Sequence, residues 1–93
     1  MKYECRKIEN CFANTQSYEY KLPVAAWRLR ALLDEGWSVR VNEKLRRPVF
    51  IAEREATTIK GVLSEAILRL SFADEKWKTE KDDFERWLEN INV

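Results

Sequence analysis

The sequence predicts an α+β domain: a small antiparallel or mixed sheet with helices packed on a face. Three observations carry this. "SYEYKL" and "WSVRVN" alternate apolar and polar residues with a period of two, which marks strands wet on one side. Other stretches space their apolar residues three and four apart, as amphipathic helices do. Only two Gly and two Pro punctuate 93 residues, with no linker, low-complexity tract or repeat, so residues 1–93 read as a single domain.

Taken in order, "KYECRKI" alternates weakly and suits a first strand, and "ENCFANTQ" is polar and turn-like. A strand is expected over about 17–22, with Tyr18, Tyr20 and Leu22 on one side and Glu19 and Lys21 on the other. Pro23 ends it and suits the first position of a helix. That helix is expected over about 24–35, stopped by Gly36 just past its end. At about 100° per residue, Ala25, Leu29, Leu32 and Leu33 share one face, while Val24, Trp27 and Ala31 form a nearly opposite stripe. A helix with two apolar stripes must be covered twice or must cover something else. Either the N-terminal segment packs over Trp27, or Trp27 is an exposed anchor with Arg28 and Arg30 on its two sides. The second composition is favoured at binding hot spots. Trp27, Arg28 and Arg30 are therefore the candidate partner-binding residues.

A β-hairpin is expected over about 37–54. Trp37, Val39 and Val41 alternate with Ser38, Arg40 and Asn42, and the apolar run Val49–Ala52 follows a loop. Pro48 sits at the second strand's first residue, where its missing donor does least harm. Two C-terminal helices are then expected, at about 58–71 and 80–91. In the first, Ile59, Val62, Leu63, Ala66, Ile67 and Leu70 make a broad stripe, Thr57 or Thr58 can cap it, and Gly61 suggests close approach by a neighbour. In the second, Phe84, Trp87, Leu88 and Ile91 form the stripe, Thr79 can cap it, and acids crowd its first turn. A single bent helix is the alternative.

Composition narrows the chemistry. The chain has no His, so neither a Ser–His nor a Cys–His nucleophile pair can form. Two glycines allow no phosphate-cradling loop. Asp82 and Asp83 are adjacent and diverge by about 100° on a helix, a poor metal pair. Acids are plentiful, but no spacing singles out two of them. No catalytic, cofactor-binding or metal-binding residues are therefore expected, and no cofactor. Cys5 and Cys11 are too few for a secreted disulfide scaffold and read as free thiols, with a disulfide between them as the alternative. "MKYECRKIEN" lacks a signal-peptide core and no run is long enough to span a membrane, so a cytoplasmic protein without membrane contact is expected.

Net charge is +1, yet residues 1–50 hold ten Lys and Arg against six Asp and Glu, while residues 51–93 hold seven against ten. The basic excess includes the hairpin: Arg40 on its first strand, then Lys44, Arg46 and Arg47 in its loop. These four are the candidate nucleic-acid contacts. The segment that bears them, "LLDEGWSVRVNEKLRRPVFIAE" (residues 32–53), resembles the helix-plus-wing end of winged-helix domains. That resemblance implies a helix in the major groove and a wing on phosphate. Asp34 and Glu35 at the end of that helix would repel phosphate, which puts this reading second.

A further resemblance covers residues 29–70. "LLDEGW", a hairpin, and then "EREATTIKGVLSEAIL" resemble small phage-encoded α/β sandwich domains of unknown role. It implies a sheet-and-helix sandwich of phage or mobile-element origin and transfers no site residues. The function expected first is a non-enzymatic protein-binding module, such as a phage or mobile-element protein that inhibits or adapts a host protein, for instance a bacterial defence complex. Nucleic-acid binding through the basic hairpin loop is the alternative. A structural homodimer subunit, with the Trp27 stripe or the final helix as its seam, is the third reading.

Overall fold

A computed structural model describes residues 2–9, 14–33, 35–44 and 46–91. Six strands make one sheet: β1 (Glu4–Ile8), β2 (Thr15–Lys21), β3 (Ser38–Asn42), β4 (Val49–Arg54), β5 (Thr57–Val62) and β6 (Ile67–Ala73). Helix α1 (Ala26–Arg30) lies between β2 and β3, and α2 (Trp77–Asn90) follows β6. The strand order is β1-β2-β6-β5-β4-β3, and every neighbouring pair is antiparallel. β3 to β6 form a meander whose last strand closes against β2, and the β1–β2 hairpin extends the sheet beyond it.

The α+β class, the antiparallel sheet, the strand near 17–22, the hairpin at 37–54 and the last helix match the expectation. Alternation explains why these were readable. In β2, Tyr18 and Tyr20 are buried, while Lys21 is exposed. In β3, half-buried Val39 and Val41 alternate with exposed Ser38, Arg40 and Asn42.

The helix expected at 58–71 is absent: these residues are β5, a turn at 63–66, and β6. Ile59 stands opposite Leu70, and Thr57 opposite Phe72, all pointing to the inner face. The helical spacing was a coincidence of two strands read through a turn. Both strands are central, and residues such as Val62 and Ile67 keep their outer faces apolar too, which blurs the period-two signal. Neither turn carries Gly, Pro or Asn, the strongest turn signals. Glu55–Ala56 joins β4 to β5, with Glu55 at φ 48°, and Leu63–Ala66 joins β5 to β6. Thr57 and Thr58 are strand residues here, not caps. Gly61 does mark a close approach, but between strands: a Cβ there would lie 2.9 Å from Leu68 Cδ2 and 2.9 Å from Phe50 Cε1.

The helix expected at 24–35 is reduced to five residues, α1. So short a helix is not stable alone. Its first N–H groups are satisfied by the β5–β6 turn: Ala26 N–H donates to Glu65 O at 2.7 Å and Trp27 N–H to Leu63 O at 3.1 Å. Its end tightens into i→i+3 bonds, Leu32 N–H to Leu29 O and Leu33 N–H to Arg30 O. Pro23 precedes the helix by three residues rather than opening it, and Gly36 lies in a later turn rather than capping it. Residue 34, part of that expected helix, lies outside the described residues.

Among the described residues, one C-terminal helix follows the sheet. α2 begins at Trp77 with Lys76 in the cap position and no side-chain cap, so Thr79 lies inside it. Its stripe, Phe84 and Leu88, joins Ala26 and Leu29 of α1 over the inner strand residues Tyr20, Phe50, Ile59, Leu68, Leu70 and Phe72 in one buried core. Rings fix the seating. Tyr20 meets Phe84 edge-on at 5.3 Å between centroids, and Tyr18 stacks on Trp77 at 6.3 Å. Burying a side chain of this size contributes about 1.5–3 kcal/mol, so the helix is held by its face and not by its ends.

Candidate binding surfaces

Four places gather chemistry. The first is α1. Its inner side, Ala26 and Leu29, is fully buried. That turns Trp27 outward, 55% exposed, and Leu32 is 41% exposed nearby; among the described residues these two are the exposed large hydrophobics. Arg28 and Arg30 are both exposed and make no ion pair among the described residues. Residues 4–8 do not pack over Trp27 but pair with β2 at the far edge of the sheet.

The second is the β3–β4 loop. Its four candidate cations are unequal. Arg40 Nη2 donates to Glu53 Oε1 at 2.7 Å, and Arg47 Nη1 donates to Glu65 Oε1 at 3.0 Å. Lys44 and Arg46 are exposed and unpaired among the described residues. The loop is shaped in part by Asn42, whose Oδ1 accepts the Lys44 backbone N–H at 3.1 Å. Two pairings thus lower its capacity to attract phosphate.

The third is a polar clamp between β1, β2 and α2. The Tyr20 hydroxyl donates to Glu85 Oε2 at 2.8 Å, and Lys81 Nζ donates to the same oxygen at 2.6 Å. Burial opposes charge on Glu85, but the hydrogen bonds from Lys81 and Tyr20 outweigh it and hold the carboxyl below its usual range. Burial likewise opposes charge on Lys81, and Glu85 reverses that, holding the ammonium above its ordinary value. Burial pushes Tyr20 far up, with the Glu85 hydrogen bond adding to it, and pushes Tyr3 up to about 12. It also raises the Cys5 thiol, so Cys5, though exposed, is not an activated thiolate. Cys11 lies outside the described residues. The clamp ties α2 to β2 through the Tyr20–Glu85 hydrogen bond, and so fastens the helix to the sheet.

The fourth place was not foreseen. The outer face of the sheet carries no helix among the described residues. Over β4 to β6 it forms an open hollow of about 490 Å³, with half-buried Val49, Ile51, Val62 and Ile67 beside Lys60 and Arg69. No sequence window could reveal it, because its residues come from separate strands and meet only through the register.

Among the described residues, no group of three or more His, Cys, Asp or Glu is placed to hold a metal ion. None of the described helices is long and apolar enough to cross a membrane. The class these features define is a small α+β domain: one antiparallel sheet with helices on its inner face and, among the described residues, none on its outer face. No protein-family model, curated protein or solved structure matches the chain.

Proposed function

We propose that this chain is a non-enzymatic protein-binding module whose contact anchor is Trp27, flanked by Arg28 and Arg30. The observation that carries it is the 55% exposure of a Trp on a helix only five residues long, hydrogen-bonded at its start to the β5–β6 turn. Trp and Arg are the residue types most enriched at binding hot spots. Leu32 enlarges the apolar area without adding a polar group to desolvate. In setting, the reading is of a phage or mobile-element protein that inhibits or adapts a host protein, and the resemblance of residues 29–70 to phage-encoded domains supports it. Affinity purification from the native host tests the reading. Wild-type protein retains a host protein, and Trp27→Ala loses it while its thermal unfolding is unchanged within about 0.5 kcal/mol, as for an exposed site. Equal retention by Trp27→Ala would count against it.

Nucleic-acid binding through Arg40, Lys44, Arg46 and Arg47 has weaker support, since Arg40 and Arg47 are paired with Glu53 and Glu65. A homodimer seated on Trp27 would show as a dimer in sedimentation without any partner.

A further inference from the structure

We propose that the outer face of the sheet, which carries no helix among the described residues, docks an acidic segment of a partner protein, one that presents a carboxylate beside an aliphatic side chain. Strand register builds the site. One belt crosses all six strands, each residue directly opposite the next: Arg6, Glu19, Arg69, Lys60, Ile51 and Arg40. Lys60 and Arg69 therefore stand opposed on the adjacent strands β5 and β6. Directly opposed like charges destabilise an antiparallel pair, so folding gains nothing from this one. Its neutralisation is incomplete. Glu19 is shared, 3.2 Å from Arg6 Nη2 and 3.7 Å from Arg69 Nε, and Lys60 has no ion pair among the described residues. An incoming carboxylate would sit between Lys60 and Arg69 and complete the belt.

The row beside the belt supplies the second half of the chemistry. Val49 stands opposite Val62, and Ile67 follows on β6. With Ile51 they give the hollow an aliphatic floor on which a branched side chain can pack. The same features favour a peptide over nucleic acid. Among the described residues, no aromatic side chain faces outward in the hollow to stack a base, and Glu19 and Glu65 on its wall oppose a run of phosphates. A peptide can bring one carboxylate to the two cations and avoid both acids. This surface is separate from the Trp27 anchor and does not depend on it.

Selection from a displayed library of random twelve-residue peptides tests the proposal. Enriched peptides should carry Asp or Glu next to Leu, Ile or Val. Binding of a synthesised winner should weaken at least about tenfold in Lys60→Glu and be unchanged in Trp27→Ala. Lys60→Glu should also melt at or above the wild-type temperature, because it converts a repulsive pair with Arg69 into an attractive one, so lost binding cannot be ascribed to lost fold. The proposal is overturned if no peptide is enriched, if the enriched peptides lack acidic residues, or if Lys60→Glu binds them as well as wild type. Oligothymidylate binding that Lys60→Glu abolishes would also overturn it, by assigning the face to nucleic acid.

Discussion

Gly61→Ala separates the two ways in which residues 57–73 can fold. In a helix, replacing Gly by Ala stabilises by about 1 kcal/mol. In the sheet described above, the added methyl points to the inner face and arrives 2.9 Å from both Leu68 Cδ2 and Phe50 Cε1. A carbon pair prefers about 3.5–4.0 Å, so at least one neighbour must move by several tenths of an ångström. Neither can swing into solvent, because Leu68 and Phe50 are both fully buried. Overpacking of this kind costs about 1–3 kcal/mol. Against it stands a gain of about 0.4–1 kcal/mol from restricting the unfolded chain. The net expectation is a loss of about 1–2 kcal/mol. Urea unfolding followed by tryptophan fluorescence reads it directly. With a slope of about 1–2 kcal/mol per molar for so small a domain, the midpoint should fall by roughly 1 M at unchanged slope. A midpoint that rises would refute the register of β4, β5 and β6.

Three further substitutions test other joints. Glu55→Gly relieves a non-glycine residue at φ 48° and should stabilise by about 0.5–1 kcal/mol, read as a melting temperature raised by about 2–8 °C. Thr57→Val removes the hydroxyl that donates to buried Glu80 at 3.0 Å and should destabilise by about 1–3 kcal/mol in the same assay, with no change in secondary structure by circular dichroism. Glu85→Gln tests the polar clamp by its pH dependence. Because the folded Glu85 carboxyl is held below its usual range, its contribution is full above the unfolded value, about 4.3, and is lost as pH falls through the folded value. Wild-type stability should therefore fall more steeply than that of Glu85→Gln in acid. In alkali, wild type should weaken from about pH 10 upward, as Tyr3 and Lys81, both raised in the fold, lose their protons. Parallel pH profiles for the two proteins would remove the clamp from the account.

Legibility of the fold followed solvent exposure. β2 and β3 each keep one wet side, so their alternation survives in the sequence. β5 and β6 lie in the middle of the sheet, with apolar residues on both faces at Val62 and Ile67, and their turns lack Gly, Pro and Asn. The apolar residues on either side of Leu63–Ala66 then fell at helical spacing by chance. α1 was overextended for a different reason. Its pattern runs to Leu33, which does pack on the core, but only the turn carrying buried Ala26 and Leu29 is helical. The candidate site divides in the same way. Trp27, Arg28 and Arg30 are neighbours in the chain, so their composition was visible. Arg6, Glu19, Lys60 and Arg69 are brought together only by hydrogen-bond register across four strands. The pairing of Arg40 with Glu53 and of Arg47 with Glu65 was equally invisible, and it changes the weight of the basic loop.

Hydrogen–deuterium exchange on the complex with a captured host protein measures most directly whether contact is made through α1. New protection is expected at residues 26–33, with the loop at 43–48 exchanging as freely as in the isolated chain. Protection confined to that loop, with residues 26–33 unchanged, would contradict it.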